Sequence, residues 1–335
     1  LEFKMKLICA PMATLSHEAF RISVEEFGGC DEYFTEMINA SSLLNMGPFE
    51  KYYLLNGPSP EKIVWQLTGT SAEPLAKAAE IVCEKGGIGI DLNMGCSAPQ
   101  IYKTGAGIAW MLKPLKETKE AVSKVKETLN LIEEKTQKHF RLSVKCRLGD
   151  ENFTEQSFFN FTDMLIENGV ELITLHARKI KEKYRGLPRY EFAQKLSQRY
   201  EEKIKVYVNG CIKDTASANF AIQKAPESDG IMIARAAAER PWIFAQIKKD
   251  LEGSAEKITV DRMQTALNFI DNVEKFQPKE FHKTRIQRFF SYYCAQFEFG
   301  HYFQTKMLNY KSNEESRKEI LDYFQKQPHE RFILV

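Results

Sequence analysis

The sequence predicts an α/β protein: a closed (β/α)8 barrel followed by a small C-terminal all-helical domain. Eight short apolar runs alternate with longer amphipathic segments between residues 6 and 247. This order favours parallel strands joined by crossover helices, and eight such units in roughly 250 residues are typical of a closed barrel. The strand-like runs then stop near Gly253, where a helical pattern begins.

The eight predicted strands are short apolar runs, which is typical of strands buried on both faces. They are Leu7–Ala10, Tyr33–Thr35, Ile63–Leu67, Ile88–Leu92, Leu142–Cys146, Leu172–Leu175, Val206–Val208 and Ile231–Ala234. Apolar residues spaced by three and four predict helices between them, among them Glu73–Glu84, Lys116–Lys135, Phe158–Glu167 and Thr215–Gln223. A doubly wound open sheet is the alternative, but no G-x-G-x-x-G turn follows the first strand.

Helical spacing continues to the end of the chain. It predicts helices over Asp261–Lys275, Lys279–Phe297, Gln304–Asn309 and Glu314–Lys326. We therefore expect two domains, a barrel over residues 1–250 and a helical domain over 251–335.

The composition narrows the class of protein. Hydrophobic residues make up 43% and charged residues 27%, as in ordinary globular domains, and the net charge is only +2. A nucleic-acid surface would therefore have to be a local patch. The seven cysteines form no C-x-x-C pair, so we expect reduced thiols in a cytoplasmic protein without a metal site. We also expect no membrane span, because no apolar run approaches about 18 residues, and a monomer.

Polar or backbone-exposing residues stand at nearly every predicted strand end. Each alone has a structural explanation, but the carboxyl ends of barrel strands meet on one face, so together they predict a site. They are Ala10-Pro11-Met12, Gln66, Asp91-Leu92-Asn93-Met94-Gly95-Cys96, Lys145, Arg147, His176, Arg178, Asn209-Gly210 and Ala234-Arg235.

These groups suit a flavin mononucleotide. Asn209-Gly210 and Ala234-Arg235 follow the last two strands, where barrels commonly bind phosphate. Lys145 and His176 suit the electron-rich edge of a flavin ring, and Gln66 suits its pyrimidine edge. A dinucleotide fits less well because its glycine-rich fingerprint is missing.

Several motifs, in this order and spacing, resemble the tRNA-dihydrouridine synthase family. The resemblance is close over about residues 7–247 and looser in the tail. The motifs are Ala10-Pro11-Met12, Asp91-x-Asn93-x-Gly95-Cys96, Lys145, His176-Ala-Arg178, Asn209-Gly210, Met232-Ile233-x-Arg235 and Pro241-Trp242-Ile243-Phe244. The sequence departs from the family pattern in having Ser97-Ala98-Pro99 after Cys96 and alanines on both sides of Arg235.

The resemblance implies an FMN-dependent enzyme that reduces the C5=C6 bond of tRNA uridines with NADPH. Hydride would pass from FMN N5 to C6, and Cys96 would protonate C5. Asn93 and Arg178 would line the pocket of the reacting base. The residues implied to contact FMN are Pro11, Met12, Gln66, Lys145, His176, Asn209, Gly210, Ala234 and Arg235.

The helical tail offers candidates for binding RNA. A uridine must leave its stack to reach a barrel mouth, which costs a few kcal/mol, so we expect additional RNA contacts. Lys283, Arg285 and Arg288 are candidate phosphate ligands. The aromatic residues interleaved with them are expected to form the core of the tail itself.

Other functions remain open at this point. A flavin barrel dehydrogenase of free pyrimidines, of the dihydroorotate or dihydropyrimidine type, is one alternative. A free pyrimidine, however, needs neither a helical tail nor the basic loop after the sixth predicted strand, which contains Lys179, Lys181, Lys183 and Arg185. A barrel that binds RNA without redox chemistry is another. The barrel chemistry also leaves open a ribosomal RNA substrate in place of tRNA.

Overall fold

The computed structural model describes residues 5–335, in which eight parallel strands form a closed barrel. The strands of the main sheet are β1 (Lys6–Cys9), β2 (Glu32–Phe34), β3 (Ile38–Asn39), β4 (Ile63–Thr68), β5 (Gly89–Met94), β6 (Arg141–Cys146), β7 (Leu172–His176), β8 (Lys205–Asn209) and β9 (Gly230–Ile233). Pairing of β1 with β9 and of β2 with β4 closes the ring, while β3 only pairs with the end of β4. The predicted barrel and its eight strands are confirmed.

Helices surround the barrel and cover its outer face. They are α1 (Glu18–Glu25), α2 (Ala40–Leu44), α3 (Glu50–Tyr53), α4 (Ala72–Cys83), α5 (Pro99–Tyr102), α6 (Ala109–Leu112), α7 (Leu115–Thr136), α8 (Glu155–Glu167), α9 (Glu191–Tyr200), α10 (Thr215–Lys224), α11 (Arg235–Glu239) and α12 (Ile243–Glu252). Successive strand residues point to opposite faces, so side chains such as Leu142 and Val144 pack outward in the core between strands and helices.

The inward-facing side chains fill the barrel in layers. An apolar layer in the middle contains Ile8, Phe34, Val64, Leu172, Tyr207 and Met232. Because this layer is packed, the barrel is a core with a site at one end and is not a pore.

The amino-terminal end of the barrel is closed by an ion-pair network around Glu32, which we call the basal network. Arg141 donates two hydrogen bonds to the Glu32 carboxylate, at 3.0 and 2.7 Å. Lys6 Nζ and the Tyr207 hydroxyl also donate to it, at 2.9 and 2.7 Å. Burial alone would raise the pKa of Glu32, but Arg141 and then Lys6 outweigh it and lower that pKa to about 2. Glu32 is therefore ionised at neutral pH.

The predicted tail helices are confirmed, with one addition. The helices are α13 (Arg262–Phe276), α14 (Lys279–Tyr293), α15 (Gly300–Asn309) and α16 (Asn313–Lys326). The tail is not purely helical, because β10 (Thr259–Asp261) and β11 (Phe332–Leu334) form a two-stranded antiparallel sheet. Three-residue strands whose partners are far apart in the chain carry too little local pattern to be predicted.

Aromatic residues form the core of the tail, as the sequence predicted. Phe269, Phe289 and Tyr293 stack in sequence, with ring centroids 3.8 and 4.9 Å apart. The tail packs against the barrel through α13 and α14, where Phe289 contacts Phe20 of α1.

None of the helices within residues 5–335 has the length and apolarity needed to cross a bilayer. In the same stretch, no cluster of three or more His, Cys, Asp or Glu side chains is arranged to hold a metal ion.

Candidate active site

The polar strand ends predicted from the sequence meet at the carboxyl end of the barrel, which we call the mouth. Asn93 lies opposite Lys145 on the neighbouring strand, and His176 lies opposite Asn209. Residues that follow the strands complete the rim, with Pro11 and Met12 after β1 and Ala234 and Arg235 after β9.

Cys96 is the second residue after β5 and lies at this mouth. Its side chain is partly exposed, and its N–H donates to Asn93 Oδ1 at 3.0 Å. Arg147 Nε donates to the carbonyl of Gly95 at 3.0 Å. Gly107 packs closely against Cys96: a Cβ added to Gly107 would lie 2.5 Å from the Cys96 carbonyl oxygen. The loop that carries the thiol is therefore fixed from several sides.

A directional chain of hydrogen bonds runs from the barrel interior to the Cys96 loop. The Asp91 carboxylate accepts from Ser143 Oγ at 2.8 Å and from Gln66 Nε2 at 2.7 Å. Gln66 Oε1 then accepts from Asn93 Nδ2 at 3.0 Å. An ionised carboxylate can only accept, so it orients both carboxamides and leaves Asn93 Oδ1 facing the Cys96 loop. Our site prediction assigned no role to Asp91 or Ser143.

The charges at the mouth perturb one another. Burial raises the pKa of Asp91 to about 6, although hydrogen bonds from Gln66 and Ser143 oppose the rise. Burial and then the charge of Arg147 lower the pKa of Lys145 to about 8. The ammonium of Lys145 makes no hydrogen bond to any group in the described part of the chain, so it is available to a ligand.

His176 is held neutral. Its pKa is lowered to about 2, first by burial and then by the nearby charges of Lys145 and Arg147. A neutral imidazole offers one donor and one acceptor to a ligand. Gly210 packs directly against its ring, with a φ of +113°.

Replacing Gly210 by Ala should therefore destabilise the mouth. The added Cβ would lie 2.6 Å from His176 Cδ2, and the positive φ would strain any L residue. We expect a loss of about 1–3 kcal/mol in the free energy of unfolding, measured by urea denaturation. Gly253→Ala is the matched control, because Gly253 has a φ of +70° but no atom within 4 Å of its added Cβ. Equal losses in both variants would show that contact with His176 does not matter.

Arg178 lies beneath the rim, and part of its guanidinium has no hydrogen-bond partner among the described residues. It is 1% exposed, and Nη2 donates to the Gly186 carbonyl and to Cys211 Sγ. Its Nε and Nη1 are buried without a hydrogen-bond partner within residues 5–335. Unpaired buried donors are costly, so these two nitrogens are candidates for binding a ligand at the mouth.

Sequence reasoning missed Tyr184. Its ring stacks against His176, with centroids 6.4 Å apart, and Arg235 lies over it at 4.7 Å. The side chain is nevertheless 64% exposed. An aromatic residue within the basic loop of Lys179, Lys181, Lys183 and Arg185 was the signal available in the sequence.

The three tail candidates are not equivalent. Lys283 and Arg288 are exposed on α14. Arg285 is 2% exposed and forms an ion pair with Glu36 of the barrel. A buried, paired guanidinium is not free to bind a phosphate, so we withdraw Arg285 from the candidate RNA contacts.

A closed parallel barrel with a thiol and several cationic donors gathered at its mouth has the arrangement of a barrel enzyme. A family model described as dihydrouridine synthase (Dus) matches residues 8–328. The chain therefore belongs to the dihydrouridine synthase family, whose enzymes are oxidoreductases that act on CH–CH groups.

Curated relatives carry corresponding names. The chain is 29% identical over 285 residues, 83% of each chain, to a probable tRNA-dihydrouridine synthase of Aquifex aeolicus. It is 29% identical over 259 residues to a probable tRNA-dihydrouridine synthase of Rickettsia typhi, covering 77% of this chain and 74% of the relative. It is 30% identical over 254 residues, 74% of this chain, to a tRNA-dihydrouridine(47) synthase-like protein of Xenopus tropicalis, NAD(P)(+)-dependent by name, of which the match covers only 37%.

Proposed function

We propose that this protein reduces the C5=C6 bond of tRNA uridines to give dihydrouridine, with FMN as its bound cofactor and NADPH as its reductant. The observation that carries the proposal is the meeting of the Cys96 thiol with the unpaired donors of Lys145 and Arg178 at one barrel mouth. Membership of the dihydrouridine synthase family and the names of the relatives support the choice of reaction.

The residues present fit a flavin mononucleotide. Among the described residues the Lys145 ammonium has no hydrogen-bond partner, and His176 is neutral, which suits contact with a flavin ring that Pro11 and Met12 would also contact. Gln66 is fully buried and its carboxamide bonds to Asp91 and Asn93, so its contact with FMN stays a prediction from the sequence. We assign the phosphate to the backbone and side chains of Asn209, Gly210, Ala234 and Arg235 at the ends of β8 and β9. When bound, the cofactor supplies hydride from its N5 to C6 of the uracil.

The residues of the chain donate the proton and bind the substrate. Cys96 donates its proton to C5 of the uracil as negative charge builds there. Asn93 fixes the loop of Cys96 through the 3.0 Å hydrogen bond from the Cys96 N–H. We assign the acceptor groups of an inserted base to Nε and Nη1 of Arg178, which have no hydrogen-bond partner among the described residues. Lys145 supplies a positive charge to the same mouth.

The remaining assignments concern partners and location. Exposed Lys283 and Arg288 support binding of tRNA phosphates by α14. The NAD(P)(+) in the name of the Xenopus relative supports a nicotinamide reductant. We further propose a cytoplasmic monomer, in keeping with seven free cysteines.

The experiment that tests this function compares substrates side by side. Purified protein should show flavin absorbance and should oxidise NADPH in the presence of unmodified tRNA, but not with free uridine or orotate. Mapping of dihydrouridine in RNA from cells with and without the gene then identifies the position that is reduced. Turnover of free pyrimidines would indicate a dehydrogenase instead, and protein without flavin would indicate a non-redox RNA-binding barrel.

The rate of tRNA reduction should depend on pH in a bell-shaped manner. We expect kcat/KM to fall as the pH drops through about 6, where Asp91 gains a proton and need no longer accept from Gln66. It should also fall as the pH rises through about 8, where Lys145 loses its charge. Asp91→Asn keeps an acceptor oxygen but does not titrate, so the acid limb should disappear in that variant. An unchanged acid limb would show that another group causes it.

A further inference from the structure

Glu36 connects the tail to a loop at the barrel mouth. It follows β2 and is buried, and its Oε1 accepts the N–H of Thr14 at 2.5 Å. The same oxygen accepts from Nη1 of Arg285 on α14, also at 2.5 Å. One carboxylate oxygen therefore joins the tail to the loop after β1.

That loop, residues 10–16, carries Pro11 and Met12 and has an unusual backbone. Thr14 has a φ of +63°, a left-handed conformation that residues other than glycine rarely adopt. Such strain persists only where surrounding contacts hold it. Within the loop, Ser16 Oγ accepts from the Met12 N–H at 2.6 Å. The bond from Thr14 to Glu36 is the contact that holds the strained residue from outside the loop.

Two cations favour the ionised form of Glu36, Arg285 on α14 and Arg21 on α1. Burial raises the pKa of Glu36, and the charge and hydrogen bond of Arg285 oppose this rise, with a smaller contribution from Arg21 on α1. Arg21 donates its hydrogen bonds to the backbone carbonyls of Ser16, Leu55 and Gly57. His17, buried beside both arginines, is kept neutral because burial and then Arg285 lower its pKa. Arg285 is therefore the cation that directly pairs with Glu36.

We propose that Arg285 is a positioning residue for the cofactor site and that it acts through Glu36 on the loop of residues 10–16. This inference rests on the proposed function in one respect, since Pro11 and Met12 of that loop are assigned to FMN. Removing a single partner of a buried charge pair leaves the other charge uncompensated. Without Arg285, an ionised Glu36 must turn toward solvent, and the strained loop then loses its fixed acceptor.

The proposal gives α14 two separate roles. Lys283 and Arg288 face solvent, where they are available to RNA, while Arg285 faces the barrel between them in sequence. The tail is then part of the cofactor site as well as a surface for substrate. Substitutions on the two faces should therefore have different effects.

The first measurement is the affinity of the full-length protein for FMN, titrated by fluorescence. Arg285→Met should weaken FMN binding by at least roughly tenfold, as expected when a buried charge loses its partner. Lys283→Ala and Arg288→Ala are the matched controls on the same helix. They should raise KM for tRNA and leave FMN affinity within about twofold, because both side chains are exposed and are assigned to tRNA phosphates.

The second measurement needs no cofactor. Hydrogen exchange at the Thr14 amide should be at least about tenfold faster in Arg285→Met, while exchange at Leu175 in β7 should be unchanged. If the wild-type protein bound no FMN, the proposed function would fail, but Thr14 exchange would still report on the loop. Adding Glu36→Gln to Arg285→Met should slow exchange at the Thr14 amide again. Glutamine keeps an acceptor oxygen for that amide, and the double variant contains no buried charge without a partner.

Two results would overturn the proposal. One is folded Arg285→Met protein with wild-type Thr14 exchange and wild-type FMN affinity. If that variant does not fold, Arg285→Gln takes its place, since it removes the charge but keeps a hydrogen-bond donor. Wild-type values for Thr14 exchange and FMN affinity in Arg285→Gln would equally reject a positioning role for the charge of Arg285.

Discussion

Cys96→Ala is expected to slow the reduction of tRNA uridine by about 10²–10⁴-fold, the usual contribution of a general acid. The thiol lies on a loop fixed by Asn93 and Arg147, so few other groups can approach C5 of the uracil in its place. The reduction of the bound flavin by NADPH should remain normal, because that step needs no proton from Cys96.

Single-turnover kinetics separate the two steps. Flavin reduction is followed by absorbance after NADPH is mixed in, and reoxidation is followed after unmodified tRNA is added. Cys211→Ala is the matched control, since Cys211 is also a partly exposed thiol but bonds to Arg178. If Cys96→Ala reoxidised as fast as the wild-type protein, Cys96 would not be the proton donor.

Glu32→Gln is expected to lower the free energy of unfolding by about 3–5 kcal/mol, the usual result of breaking a buried ion pair. The substitution keeps the shape of the side chain but leaves the Arg141 guanidinium without its counter-charge. Urea denaturation of both proteins at pH 7 measures the loss. Lys6→Met is the control: Lys6 is 51% exposed, so removing its contact with Glu32 should cost only about 0–1 kcal/mol.

The effect of Glu32→Gln should depend on pH with a definite sign. The pKa of Glu32 is lowered from 4.5 to about 2 on folding. Its contribution to stability is therefore complete above about pH 4.5 and is lost as the pH falls toward 2. The difference in urea midpoint between the wild-type protein and Glu32→Gln should narrow over that range. A difference that stayed constant from pH 6 to pH 3 would contradict the assignment of the shift to Glu32.

The fold was predictable because its signals are local. Buried parallel strands read as continuous apolar runs, and the helices between them have a clear period. The basal network was not predictable, because Glu32 and Arg141 lie far apart in the chain. The sequence around either residue gives no sign that it pairs with the other. The same limit applies to β10 and β11, which meet only after the tail has folded.

The site was predictable where geometry alone assigns residues to one end of the barrel. Arg285 was misjudged because cations on a helix are usually solvated, although a signal was present. The buried apolar residues of α14 are Ile286, Phe289, Phe290 and Tyr293, and Arg285 falls four residues before Phe289 on the same face. Helical position was therefore a better guide to its role than charge.

The basal network has a consequence for the order of events in the catalytic cycle. With one end of the barrel sealed by a carboxylate and its cations, and the middle packed with side chains, the outer rim is the single entrance that the described strands leave to the interior. Under the proposed function, a nicotinamide and a nucleobase would both reach the cofactor through this one opening. We therefore expect the oxidised nicotinamide to dissociate before the nucleobase binds.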